Sequence, residues 1–197
     1  MNLKRFVCLS TCSAVLALMP VLSPAQSAAP AKSSAPAAGS AIAPGESLGA
    51  LSNLLSQEVI GAAEAMPADK YDFAPTAPGD FKGVRTFSEQ VRHIAQANFH
   101  YFHGWNVAGE VDPKTLDSLK TKDELVKALR DSFAFQQAAI NSITPENAFN
   151  SAGGPPEYKL TRVSMAAFAM AHAMDHYGQM VEYLRMNGIT PPASRKQ

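Results

Sequence analysis

The segment Ala171-His-Ala-Met-Asp-His-Tyr-Gly-Gln-Met-Val-Glu-Tyr-Leu-Arg-Met-Asn-Gly-Ile-Thr-Pro-Pro192 carries a helical pattern with its own stop. Asn187-Gly188 supplies a left-handed cap, and Pro191 and Pro192 forbid continuation. Within it, His172 and His176 stand four residues apart, about 40° around a helix and about 6 Å along it. Two imidazoles so placed reach one metal ion from a single helical face. Position 173 is an alanine. The glutamate of the metalloprotease helix is therefore absent, and protease chemistry of that type has no general base.

Read outward from this segment, the chain resolves into helices. The last one is expected from roughly Thr161 to Asn187, with Met165, Phe168, Ala169, His172, His176, Gln179, Met180 and Tyr183 on one broad face. A Gly153-Gly154-Pro155-Pro156 loop precedes it. Before that, Thr121-Lys-Asp-Glu124 is a capping box opening a third helix to about Ile143, with Leu125, Leu129, Phe133, Gln136 and Ile140 facing inward. Thr86-Phe-Ser-Glu89 is a second such box. It starts a helix to about Trp105 that carries His93, His100 and His103. The first periodic segment is Leu48 to Met66, closed by Pro67. Its apolar stripe reads Leu51, Leu54, Leu55, Val59, Ala62 and Met66, with Ser52, Gln57 and Glu64 away from it. The long loop from Ala68 to Arg85 is expected to tuck its aromatics against the helices. Only Glu157-Tyr-Lys-Leu160 hints at brief strand pairing. The predicted fold is all-α, a four-helix bundle whose two long connections leave the up-down-up-down path open.

The amino-terminal part reads differently. Lys4 and Arg5, an apolar run from Phe6 to Met19 and small residues from Ser23 to Ala28 form the layout of a secretory signal peptide. The run is shorter than the roughly 20 residues a bilayer requires, so no stable membrane insertion is expected after cleavage. The segmentation is then 1–27 signal peptide, 28–46 disordered Ala/Pro/Ser-rich tether, 47–192 bundle and 193–197 tail. The expected destination is the periplasm or the extracellular medium. Both cysteines, Cys8 and Cys12, fall in the leader, which leaves the mature chain with neither a disulfide nor a thiolate ligand. Loss of Lys4 and Arg5 from 17 basic residues leaves 15 against 17 acidic ones, net −2. Without a basic patch, no nucleic-acid partner is expected.

A metal must therefore be held by nitrogen and oxygen, and burying His172 and His176 beside apolar residues is costly unless they are paired or ligated. His93 and His100 fall on nearly one face of the second helix, about 10.5 Å apart along it. Both cannot be close ligands of one ion, and spacing does not choose between them. The chain resembles the DinB-like family of four-helix bundles from Leu48 to Pro192. The resemblance is most specific in Met66-Pro-Ala-Asp-Lys-Tyr-Asp-Phe73, in Arg85-Thr-Phe-Ser-Glu-Gln-Val-Arg-His-Ile94 and in Asp175 to Pro192. It implies a triad with one histidine from the second helix and two from the last, which here are His93, His172 and His176.

Three neutral imidazoles leave one position open on a divalent transition metal, a catalytic rather than a structural coordination set. Zinc or nickel heads the expected ions, with copper and iron also suited to nitrogen ligands. Gln179 and Asp175 are candidates for hydrogen bonds behind the ligands, with Asp175 suited equally to facing solvent, and Tyr177 and Tyr183 are candidates for the pocket wall or the core. His100 is expected near the same cavity and His103 at the surface. The family resemblance implies a thiol transferase or isomerase acting on a small-molecule substrate; a hydrolase fits an exported location as well. Against these stand a non-catalytic, stress-associated metal-binding bundle and an interaction module forming a homodimer through helix faces.

Overall fold

A computed structural model describes residues 35–76 and 79–195. The expected leader and the first part of the expected tether lie outside the described residues. Four α-helices make up the unit Ala38–Gln197: α1 (Pro44–Ala65), α2 (Phe87–Tyr101), α3 (Lys122–Asn141) and α4 (Arg162–Met186). No named strand occurs among the described residues. An isolated antiparallel bridge joins Ser151 to Thr161, while Pro156–Tyr158 forms a 3-10 turn. The pairing expected at Glu157–Leu160 is thus displaced to the base of the loop, because Pro155 and Pro156 favour a turn at its tip. No helix among the described residues is long and apolar enough to cross a membrane.

The helix starts follow local chemistry. Thr86 accepts from the amide of Glu89 while the Glu89 carboxylate accepts from the amide of Thr86, and Thr121 and Glu124 do the same. α4 has a box as well, with Ser164 in the glutamate's place opposite Thr161. α1 starts without a side-chain cap. Pro44 opens it, and the Gly45 amide donates to the Ile143 carbonyl at the end of α3 (3.0 Å). Pro44, Gly45 and Glu46, expected at the end of the tether, are therefore helical.

Each of α1 and α2 packs against both α3 and α4. Directions follow from the contacting residues. Gly45 at the start of α1 meets Ile143 beyond the end of α3, and Lys122 at the start of α3 donates to the carbonyls of Glu64 and Met66. These two helices are antiparallel. Asn98 and Phe99 of α2 meet Ser132 and Phe135 of α3, and the connection between them runs back along α2, tied by Arg92 to Leu119 and by Gln96 to Pro113. That return makes α2 and α3 parallel, so the path is up-down-down-up. The loop before α2 is anchored as expected: Tyr71 is buried, donates to the Ala63 carbonyl (2.7 Å) and meets the Phe87 ring edge-on.

The predicted face of α1 holds in its second half, where Val59, Ala62 and, just past its end, Met66 are buried, but not in its first. Leu51 and Leu54 are exposed, Leu54 by 61%, whereas Ser52 is only 2% exposed. The buried row is Gly45, Gly49, Ser52, Ser56 and Val59. Its small side chains let α1 approach α3 so closely that a Cβ at Gly45 would lie 2.6 Å from the Ile143 carbonyl oxygen. Ser52 accepts from Gln136 Nε2 (3.0 Å) in this seam. Close approach of backbones outweighed the leucine pattern. On α4, Phe168 is likewise exposed, although Met165, Ala169, Met180 and Tyr183 point inward as expected. α2 ends at Tyr101, earlier than expected, and Trp105 is buried beyond it, edge-on to Phe102 and beneath the Arg162 guanidinium. Beyond α4, Gly188 adopts the left-handed conformation (φ 74°), and Pro192 in the 3-10 turn Pro192–Ser194 lies against Gly61 of α1.

Candidate metal centre

α2 and α4 run antiparallel, and polar side chains face one another across them around His93. His93 from α2 meets His172 and His176 from α4, and their ligand-capable atoms lie within 4.8 Å of one another. The ring centroids are 4.6–5.1 Å apart. His93 Nε2 and His172 Nε2 are separated by 3.2 Å. Nitrogens bound tetrahedrally at about 2.0–2.1 Å from zinc stand about 3.3 Å apart, so this spacing suits a shared ion. His100 is not in the cluster: it is exposed, two turns further along α2. His103 is also exposed and pairs with Glu110. Between the two α2 candidates that spacing left open, the tertiary structure brings His93 to the pair on α4.

His176 is buried, with 6% exposure. Its Nδ1–H donates to Gln90 Oε1 (2.7 Å), Gln90 Nε2 donates to Gln179 Oε1 (2.8 Å), and Gln179 Nε2 donates to Asp175 Oδ2 (3.2 Å). The relay ends on a carboxylate and fixes the tautomer of His176, leaving its Nε2 lone pair toward the cluster. Gln179 therefore stands behind His176 as the sequence suggested, while Asp175 is exposed to solvent and ends the relay there. Gln90 was missed. Its signal was available, since Gln90 lies three residues before His93 and so shares its helical face. His172 Nδ1 is buried without a hydrogen-bond partner among the described residues.

All three imidazoles are held neutral. Burial pulls His93 down to about 4, with the Arg85 guanidinium and then His176 and His172 adding to it. His176 also falls to about 4 through burial, then His172 and Arg85, against an opposing pull from Asp175. Burial lowers His172 too; Asp175 opposes this and Arg85 reinforces it. Near neutral pH the lone pairs are free for coordination, and Arg85 adds positive charge beside them. The Arg85 backbone is positioned by Tyr183, whose hydroxyl donates to its carbonyl (3.1 Å). Tyr183 thus serves the core and this strut, whereas Tyr177 sits beside Glu58 of α1.

The cluster has two surroundings. On the His93 side lies a polar cleft of about 580 Å³ lined by Arg85, Glu89, Arg92, Gln96 and Asp117. On the His172 side stand two rings that the sequence reading did not place at the site. Tyr101 meets the imidazole edge-on at 5.4 Å and Phe168 lies 6.4 Å away.

No curated protein matches the chain. Residues 54–180, well over half of the chain, match the family described as the DinB superfamily, and the chain belongs to it.

Proposed function

We propose that this DinB-superfamily protein is exported and holds one divalent transition metal, zinc or nickel first among the candidates, on His93, His172 and His176. The convergence of three neutral imidazoles from two helices is the observation that carries this reading. The residues fit such an ion by donor type, by the 3.2 Å nitrogen spacing and by the orientation that Gln90 imposes on His176. When bound with one position open, the ion supplies Lewis acidity that makes a water or a thiol more acidic near neutral pH.

The chain's own residues do the rest. Gln90 and Gln179 keep His176 from rotating, and Arg85 favours an anionic group approaching from the polar cleft. Tyr101 and Phe168 shield His172 with apolar rings. This supports metal-dependent transfer or hydrolysis on a small-molecule substrate. A non-catalytic reading, in which the ion pins α2 to α4, draws on one observation: the hydrogen bonds of the cluster go to another imidazole and to Gln90, and no carboxylate bonds directly to a ring among the described residues. Such a site lacks an evident proton donor.

Metal analysis of protein purified without a polyhistidine tag is expected to find about one divalent ion per chain, as befits a single three-histidine site. His93→Ala and His172→Ala are each expected to lose it. Unchanged metal content in both variants would overturn the triad. Assays of the loaded protein with thiols plus electrophiles, and separately with esters and amides, then divide transferase from hydrolase. Inactivity in both, together with a large fall in melting temperature on chelation, selects the pinning role. Amino-terminal sequencing of the protein recovered outside the cytoplasm tests export and places the cleavage site.

A further inference from the structure

A cavity beside the bundle has no part in the histidine relay. It measures about 750 Å³ and lies between α2, α4 and the loop that joins α3 to α4. Tyr101, Met165 and Phe168 form its bundle side, and Pro155, Tyr158 and Leu160 its loop side. The loop is held over it by backbone pairing, the Ala152 amide donating to the Leu160 carbonyl (2.9 Å) beside the Ser151–Thr161 bridge. Its tip turns through left-handed residues at Gly153, Gly154 and Lys159. Tyr158 and Phe168 remain largely exposed. Two large rings left open to water around one concavity are unusual for a surface without a ligand.

The lining chemistry narrows what fits. No lysine, arginine, aspartate or glutamate lines the cavity; its titratable side chains are two tyrosines and the exposed His100 and His103, the latter already paired with Glu110. Aromatic edges and faces dominate, with Tyr101 and Phe168 edge-to-face at 5.2 Å. The volume is that of pockets taking metabolite- or drug-sized molecules. The same two rings that wall the cavity also stand against His172. We propose that this cavity binds an uncharged aromatic small molecule, one end of which rests on the Tyr101 and Phe168 rings that stand between it and His172. The binding claim stands on the cavity alone, whereas its relevance to chemistry rests on the metal reading of the histidine cluster. Tyr101 and Phe168 are then positioning and specificity residues.

Fluorine NMR of the purified full chain, titrated with fluoronaphthalene as an uncharged aromatic probe, tests both parts. Saturable binding at one site per chain is expected without added metal. Ala152→Trp, which fills the cavity from the loop, is expected to weaken it about tenfold or more, as is Phe168→Asp, which puts a charge in the wall. Phe168 is exposed, so this second variant keeps the test valid if Ala152→Trp does not fold. Absence of saturable binding, or binding that neither folded variant alters, would overturn the cavity. So would probe binding that disappears as copies of the chain associate in sedimentation, since the face would then be an interface.

Loading with Co2+ reads the direction of the ligand. The bound probe's resonance is expected to broaden in the wild type and to stay sharp in His93→Ala. A site that shows cobalt absorption yet leaves the bound probe sharp overturns the approach to His172. Failure to take up cobalt at all would count against the metal reading alone, with the metal-free titration still deciding the cavity.

Discussion

Two of the helix seams use polar residues for opposite ends. Along α1 and α3, glycine and serine remove side-chain bulk so that backbones meet, and the polar contacts are short ties such as Gln136 to Ser52. Along α2 and α4, bulky polar rings face one another and are kept apart at a spacing that suits a shared ion. The first seam is made by what is missing and responds to added volume. The second is made by lone pairs and responds to metal and to protons. Backbone proximity serves architecture, while imidazole convergence brings titratable atoms into a buried place for which packing alone gives no reason.

Metal should separate the seams most strongly. At a free zinc concentration about a thousandfold above Kd, binding is expected to stabilise the protein by about 4 kcal/mol, read as a rise in melting temperature. His172→Ala should abolish that rise, and an equal rise in the variant would place the ion elsewhere. Next in size is Gly45→Val. Its Cβ would meet the carbonyl oxygens of Ile143 and Ile140 at 2.6 and 2.9 Å, backbone atoms that cannot step aside. A loss of about 1–3 kcal/mol is expected in denaturant unfolding. Metal content per folded chain should stay at the wild-type value, and a parallel loss of metal would show that the seams are coupled.

Gln90→Leu cuts the relay without touching a proposed ligand. Metal affinity should fall about 10- to 100-fold, measured by competition with a chelator. An unchanged affinity would mean that packing alone orients His176. The gentlest probe is acid. His93 and His176 have folded values near 4 against an ordinary value of 6.5, so the unfolded chain binds more protons between these limits. Stability of the metal-free protein is therefore expected to decline as pH falls from about 6.5 toward 4. In the double variant His93→Gln with His176→Gln that limb of the curve should flatten. An equally steep decline there would assign the acid sensitivity to groups outside the cluster.

The four helices were legible because their signals are local. Capping boxes at Thr86 and Thr121 and the stop at Gly188 are interactions within a few residues, and both boxes form as their spacing implied. The box at Thr161 escaped notice because Ser164 stands where a glutamate or glutamine is expected. The pair His172 and His176 was equally local, one helical turn on one face. Periodicity misled only on the first half of α1, where Leu51 and Leu54 mark the outer side; hydropathy scores a leucine stripe above a glycine–serine stripe, yet the latter permits the closer approach.

Sequence by itself determined the all-α class, the starts of α2 and α3, the lack of any cysteine beyond Cys12 and the spacing of the α4 histidines, all of which are read from the chain or depend on chemistry within one or two turns. Spacing left open which α2 histidine joins them, because His93 and His100 share a face and differ only in height; the family resemblance named His93, and the tertiary structure supplies the physical reason. That height is set by the antiparallel docking of α2 on α4, in which Gln90 reaches His176 and Tyr101 reaches Phe168. The tertiary structure also decided the up-down-down-up path and the two unlike sides of the cluster, since both arise from contacts between residues far apart in the chain, such as Gly45 with Ile143 and His93 with His172.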